Sequence, residues 1–349
     1  MDYASRMAGL RERMRRERVD TLVIGRLPNI RYLTGFSGSN GLLTVSSDSA
    51  GFFSDSRYTS QAAVEVQGAR VRIPADGDLL AAAARGLRGA RRIGFEAEHF
   101  SWAQADRLQS AVGKRARWAP ARGWVEDLRM IKDADEVAAI RAAVALAAGV
   151  LPSVIERLRP GLRETEVAGR VELALRRAGG EGTSFDTLVA SGARAALVHG
   201  KASAKRLAPG DGIIVDYGVW LHGYASDRTR TLLLGGGDRK QRRVLRAVRQ
   251  AHAAAIAAAR PGVSTRAVDA AARRVLHRAG LGQWFVHSTG HGLGLEVHEA
   301  PRLGQRSRER LAAGQIVTIE PGVYEPGWGG VRWEDVIVVR PGGAEVLSP

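Results

Sequence analysis

The chain has 349 residues, 45% of them apolar and 25% charged, with no cysteine and a formal net charge of +16. That length exceeds what one core ordinarily fills, so two domains are expected, and the missing cysteines exclude disulfides, thiolate metal sites and a cysteine nucleophile. Only five of the 52 basic residues are lysine, and the arginines are interleaved with alanine along the whole length, which marks a compositional bias rather than a dedicated nucleic-acid face.

The opening MDYASRMAGLRERMRRERVD lacks the apolar stretch of a signal peptide, and no apolar run approaches the roughly 20 residues of a membrane span. A cytoplasmic protein is the expectation. Residues 4–18 carry a helical pattern, followed by predicted strands TLVIG (21–25), GLLTVSS (41–47) and AGFFSD (50–55). Arg57 to Glu65 is a predicted helix, VRIP (71–74) a strand, 78–89 an alanine-rich helix and RIGFE (92–96) a strand. Short strands alternating with helices indicate an α/β domain. Residues 115–136 show no sustained period until the acidic helix start at Asp133 to Glu136, which places a domain boundary near residue 125 and divides the chain into 1–125 and 126–349.

The second part repeats coarsely. Helical segments 133–158 and 164–179 lead into strands TSFDTLVA, GIIVDYGVW and YASDRTRTLLL; helical segments 240–259 and 264–279 lead into QIVTIEPGVY and GVRWEDVIVV. Two related halves around a shared sheet would give this order.

The chemistry lies in acidic residues placed where strands should be apolar. Asp216 sits inside GIIVDYGVW and Asp227 inside YASDRTRTLLL, with His222 and Gly223 as a tight turn between, so the two aspartates can face each other across a hairpin. Glu320 ends QIVTIE, and Glu334 lies within GVRWEDVIVV on the strand face of Arg332. Opposed buried carboxylates repel and are costly without a partner, which a cation supplies. Four acids are neutralised by two divalent ions, and with one imidazole this oxygen-rich set favours Mn²⁺, with Co²⁺ or Zn²⁺ by availability. Such a pair can lower the pKa of a shared water and hold it for attack on a carbonyl. The segment VHSTGHGLGLEVHE holds His287, His291 and His298; a helical HxxxH zinc pair is disfavoured there, because Ser288 replaces the required glutamate and Gly290, Gly292 and Gly294 are poor helix residues.

Taken in order, VDYG, SDRTRT, GHGLGLEVHE, TIEPGVY and GVRWED resemble the five-ligand signature of the creatinase/prolidase/methionine aminopeptidase superfamily, the pita-bread metallopeptidases. The resemblance extends to SFDTLVASGARAALVHG (184–200), NIRYLTGFSGSNGLLTV (29–45) and SDSRYTSQA (54–62), so it covers nearly the whole chain and points to the proline-specific branch. It implies an α+β pita-bread catalytic domain behind a smaller α/β creatinase-like N-terminal domain, two divalent metals, peptide substrates and a homodimer. The implied ligands are Asp216, Asp227, His291, Glu320 and Glu334, with Asp227 and Glu334 bridging and Glu320 also shuttling the proton of the attacking water. His199 and His298 match substrate-site histidines near the scissile bond, His287 lines the proline pocket, and Arg332 orients the acidic network. The family commonly has proline where Val198 precedes His199, which leaves the local turn in doubt. His99, His222, His252 and His277 carry no assigned chemistry.

By this resemblance the expected activity is that of an Xaa-Pro aminopeptidase, favoured by the run NIRYLTGFSGSNG; the alternative is an Xaa-Pro dipeptidase with the same site and mechanism. A dipeptidase needs a cation near the free carboxylate and a blocked exit beyond proline. Creatinase-like chemistry on a guanidino compound is compatible with the same ligands. A non-catalytic binding protein on this fold would be marked by lost ligands, and all five are present.

Overall fold

A computed structural model describes residues 1–347. The chain divides at Arg129/Met130 into two compact units. This lies slightly beyond the expected residue 125, because a short helix, Trp124–Arg129, belongs to the first unit, where the Arg13 guanidinium covers the Trp124 ring at 5.8 Å.

In the first unit, strands β1 (Thr21–Ile24), β2 (Leu42–Ser46), β3 (Ala50–Phe53), β4 (Arg70–Arg72), β5 (Arg92–Glu96) and β6 (Arg117–Ala121) form one sheet in the order β4-β3-β2-β1-β5-β6. β1 pairs antiparallel with β2 and parallel with β5, giving the mixed sheet of an α/β domain. Val23, Leu42, Phe53, Ile93 and Leu108 pack its core against helices. Three of the unit's helices, Leu27–Thr34, Trp102–Val112 and Trp124–Arg129, were not expected from the sequence. α1 here denotes Tyr3–Arg16, α2 Leu27–Thr34, α3 Thr59–Glu65, α4 Leu79–Gly86, α5 Trp102–Val112 and α6 Trp124–Arg129. α2 begins with Pro28 in its first turn and stops at Gly35, whose φ of 86° is the left-handed cap that glycine adopts without a Cβ clash. α5 starts on a capping box in which Ser101 and Gln104 satisfy each other's backbone N–H groups.

The second unit is built twice. Helices α7 (Ala134–Ile155) and α8 (Glu164–Arg177) precede the first half's strands, and α9 (Arg239–Ala258) and α10 (Thr265–Arg278) precede the second's. The stretch PGLRETEVAGRVELALRRAG (160–179) matches PGVSTRAVDAAARRVLHRAG (261–280), Gly161 corresponding to Gly262. The geometry repeats with it: Gly161 N donates to Leu207 O at 2.8 Å and Gly262 N to Leu311 O at 2.7 Å. LAPGDGIIVD (207–216) likewise parallels LAAGQIVTIE (311–320), which sets Asp216 against Glu320.

The strands of this unit are β7 (Gly182–Thr183), β8 (Leu188–Ser191), β9 (Gly212–Tyr217), β10 (Val219–Leu221), β11 (Tyr224–Ala225), β12 (Arg228–Leu233), β13 (Gly290–Gly292), β14 (Glu299–Leu303), β15 (Ile316–Ile319), β16 (Gly322–Glu325), β17 (Gly329–Arg332), β18 (Asp335–Arg340) and β19 (Gly343–Val346). They form ladders β12-β9-β8, β11-β10-β7, β14-β13-β15-β18-β19 and β16-β17. Each predicted long strand is therefore broken in two, and the breaks fall beside the acids. Asp216 lies just before the β9/β10 break and Glu320 between β15 and β16, while Asp227 and Glu334 immediately precede β12 and β18. Hydrogen bonds from Glu334 N to Thr229 O (3.2 Å) and from Thr231 Oγ1 to Arg332 O (2.9 Å) stitch the halves together.

One sequence expectation needs amending. α7 has 22 residues and a mean hydropathy of 1.9 over its best window, so by length and composition it could cross a membrane. Ala143, Ala147, Leu151 and Val154 instead pack in one core cluster with Val167 and Val171 of α8 and Val215 of β9, which is the position of a core helix.

Candidate active site

The β9–β12 register pairs Asp216 with Thr229 and Tyr217 with Arg228, so Asp227 falls level with Gly218 rather than with Asp216. The two aspartates are thus diagonal neighbours on one face, not directly opposed as the hairpin pattern suggested. The His222–Gly223 turn is a tight one, with φ of 52° and 74°. Glu320 is fixed through its backbone N–H, which donates to Thr289 O at 2.7 Å.

His291 reaches the same place from β13, a strand squeezed between β14 and β15. A Cβ on Gly290 would overlap the Thr318 carbonyl, and one on Gly292 the Ala300 carbonyl, so the glycines on either side of His291 are demanded by the neighbouring backbones. His291 Nδ1 lies 3.0 Å from Gly292 O, which fixes Nδ1 as the protonated nitrogen and leaves the Nε2 lone pair free. Nε2 sits 3.6 Å from both Asp227 Oδ2 and Glu320 Oε1. Donor atoms of Asp227, His291 and Glu334 all lie within 4.8 Å of one another.

The acidic set is buried and under-neutralised. Arg332 Nη2 donates to Asp216 Oδ2 at 2.6 Å, Nε to Thr229 Oγ1 at 2.9 Å, and Nη1 to Tyr324 Oη at 2.9 Å and Val198 O at 3.0 Å. Thr229 Oγ1 in turn donates to Glu334 Oε2 at 2.7 Å. Burial, and then the neighbouring carboxylates, hold Asp227 and Glu334 well above the ordinary carboxylate range. Burial pushes Glu320 up to about 7. Buried Asp216 Oδ1 and Glu334 Oε1 accept no hydrogen bond. Orphaned carboxylate oxygens beside a free imidazole lone pair fit hard divalent cations, which would supply the missing positive charge.

A cavity of about 620 Å³ opens over these groups. Its lining includes all five acidic and imidazole donors named above, and also His199, His287, His298 and Arg332. His287 is locked: Nδ1 lies 2.8 Å from Ser288 O and Nε2 2.9 Å from Tyr324 Oη, while its ring meets Phe285 edge-on. Burial lowers its pKa to about 3, so it is a neutral wall of the cavity with both nitrogens engaged. The His298 ring stands 4.4 Å from that of His291, centroid to centroid, and partial burial keeps it below the usual histidine value. His199 is exposed at the rim.

Sequence reasoning passed over four residues here. Thr229 links Arg332 to Glu334 and Tyr324 links Arg332 to His287, and both stood inside quoted motifs. Arg302 lines the cavity, and the β13–β14 register places it directly across from His291. Its signal was only a basic residue four positions after His298. Glu299, also in the lining, forms a buried ion pair with Lys132 at 3.0 Å. The histidines without assigned chemistry lie elsewhere: His252 is buried 3.3 Å from Asp335 Oδ2, and the His277 ring fills the space above Gly282.

Residues 138–341 match the model of metallopeptidase family M24, and residues 6–131 match the creatinase/prolidase N-terminal domain. An Xaa-Pro dipeptidase of Pyrococcus horikoshii is 33% identical over 339 residues, covering 97% of this chain and 95% of its own. The solved structure of an Xaa-Pro dipeptidase from Bacillus anthracis superposes with a TM-score of 0.95 at 35% identity, over 99% of this chain and 97% of that one. An X-Pro aminopeptidase from Thermotoga maritima superposes with a TM-score of 0.89 at 34% identity, over 96% and 97%.

Proposed function

We propose that this chain, which belongs to metallopeptidase family M24 and is a metallo-exopeptidase, acts as an Xaa-Pro dipeptidase with two Mn²⁺ ions. The sequence favoured the aminopeptidase, on the strength of NIRYLTGFSGSNG. The N-terminal unit that carries this run is not confined to aminopeptidases, because the dipeptidase structure from Bacillus anthracis covers 99% of the chain. The observation that carries the dipeptide reading is Arg302, a cation across the ladder from His291 and in the same cavity, where a free proline carboxylate would need one.

In this reading Asp216, Asp227, His291, Glu320 and Glu334 would together hold the two ions. Bound divalent ions supply Lewis acidity towards a carbonyl and make a water acidic enough to lose its proton near neutral pH. Glu320, a carboxylate beside the attacking water, takes its proton as the water adds to the carbonyl and returns it to the proline nitrogen as the C–N bond breaks. His298, neutral by virtue of its lowered pKa, presents an N–H to the carbonyl oxygen as negative charge develops there, and His199 contacts the peptide from the rim. The fixed His287 ring packs against the proline. Arg332 holds Asp216 in orientation through its hydrogen bond to Oδ2.

The deciding measurement compares an Xaa-Pro dipeptide with an Xaa-Pro-Xaa tripeptide on the Mn²⁺-loaded protein. The expected outcome is efficient cleavage of the dipeptide alone, with Arg302→Ala raising KM for it by about tenfold or more. Equal or better cleavage of the tripeptide would overturn the dipeptidase reading in favour of the aminopeptidase.

A further inference from the structure

Two buried carboxylates outside the cavity have no part in the mechanism above. Asp269, in the middle of α10, is 1% exposed, and Glu164, the first residue of α8, is 0% exposed. An apolar residue would fill either position at no desolvation cost, so their contacts should show why a charge stands there.

Asp269 Oδ1 accepts from Thr289 N (3.2 Å) and Thr289 Oγ1 (2.8 Å), and Oδ2 accepts from Arg273 Nε (2.7 Å) one helical turn away. Arg273 then spends its remaining donors on the segment carrying His287: Nη1 reaches Phe285 O at 2.8 Å and Nη2 reaches His287 O at 2.5 Å. Its guanidinium also lies over the Phe285 ring at 4.2 Å, the ring that meets His287 edge-on. Thr289 O, at the end of the same segment, accepts the backbone N–H of Glu320.

The first half shows the same construction. Glu164 accepts from the N–H and hydroxyl of Ser191 (both 2.8 Å), from the N–H (3.1 Å) and hydroxyl (2.6 Å) of Ser203, and from Arg194 Nε (3.1 Å). Arg194 Nη2 passes on to Lys201 O at 2.7 Å. The segment closed by these bonds, 191–203, contains His199 and the Val198 carbonyl that receives Arg332.

We propose that Asp269–Arg273 and Glu164–Arg194, although not at corresponding positions of the two repeats, are analogous positioning clamps, each running from a buried helix carboxylate through an arginine to one or two carbonyls of a segment that presents a histidine to the substrate. The proposal rests on the reading of the cavity given above. A guanidinium suits the task because its rigid fork bonds a carboxylate and a carbonyl at once, which a lysine ammonium on a flexible stem does not do. Neither arginine lines the cavity; each reaches a lining residue only through its main-chain carbonyl, His287 for Arg273 and Lys201 for Arg194. They act through the direction in which His287 and His199 point.

The test uses the Mn²⁺-loaded protein with Arg273→Ala, Arg273→Lys, Arg194→Ala and, as a neutral control on the exposed face of α10, Arg274→Ala. Arg273→Ala and Arg194→Ala are expected to lose roughly 10–100-fold in kcat/KM while Mn²⁺ affinity and stoichiometry stay at the wild-type level. Millimolar guanidinium restores part of the loss in Arg273→Ala, Arg273→Lys keeps an intermediate activity, and Arg274→Ala matches the wild type. Independently of which peptide is cleaved, the imidazole ¹⁵N resonances of His287 shift in Arg273→Ala. Unshifted resonances with wild-type kinetics overturn the proposal, as does a loss that follows metal release and resists guanidinium. A wild type that cleaves no Xaa-Pro peptide but shows the resonance shift overturns the assigned function and leaves the clamp intact.

Discussion

Arg332 Nη2 lies 2.6 Å from Asp216 Oδ2, while Oδ1 of the same carboxylate accepts nothing. One guanidinium therefore faces Asp216, Asp227, Glu320 and Glu334, and it also holds Tyr324 and Thr229. Replacing it with methionine removes the guanidinium bonded to Asp216 and its charge from beside Asp227, Glu320 and Glu334. Removing one partner of a buried pair costs about 3–5 kcal/mol. Arg332→Met is expected to melt at a distinctly lower temperature than the wild type without metal, and to recover most of that difference when Mn²⁺ is added, because bound cations take over the neutralisation. Thermal unfolding with and without Mn²⁺ checks this; an equal loss in both conditions would contradict it.

Proton linkage follows from the same crowding. Glu320 carries a carboxyl raised to about 7, and Asp227 and Glu334 are also raised. In the metal-free protein these groups hold protons that the unfolded chain gives up at the ordinary carboxylate pKa. Their contribution to stability is complete below that value and disappears as pH rises through about 7. A binding cation must displace the same protons. The metal-free protein is therefore expected to lose melting temperature between pH of about 5 and about 8, while Mn²⁺ affinity rises over that window with proton release. Calorimetric titration in two buffers of different ionisation enthalpy measures the release, and a buffer-independent heat would refute it.

The sequence made the acids visible because a carboxylate inside an apolar strand is anomalous, and the twofold order of helices and strands pointed to two halves. What it could not show was register. Asp216 and Asp227 stand diagonal to each other because β9 and β12 are continued by a separate β10–β11 hairpin after a break at Gly218, a break that strand periodicity does not reveal. The glycines around His291 ruled out a helix, but their cause is the carbonyls of Thr318 and Ala300, distant in sequence. β13 and β14 were missed for a related reason: they are short, and pairing rather than alternation defines them. Residues 97–114 drew no reading, although the Ser101–Gln104 capping box was a readable start for α5. Arg302, Asp269 and Arg273 act through cross-strand placement or bonds to main-chain carbonyls, which leave no motif.

The neighbouring rings of His291 and His298 offer the sharpest separation of roles, since their centroids are only 4.4 Å apart. His291 directs an unprotonated Nε2 at Asp227 and Glu320, and Nδ1 is engaged by Gly292 O. Replacing it with alanine removes a donor from the acidic cluster and is expected to weaken divalent metal binding itself, with activity falling as a consequence and recovering partly at high Mn²⁺. His298 is exposed and lines the same cavity, and in the proposed reading it meets substrate. His298→Ala should keep wild-type metal stoichiometry and lose roughly 10²–10³-fold in kcat, the usual cost of removing one donor to a developing oxyanion, with no recovery at high Mn²⁺. Metal titration and steady-state kinetics on the two variants distinguish the roles. Metal loss in His298→Ala, or wild-type metal affinity in His291→Ala, would show that the two rings have been assigned the wrong way round.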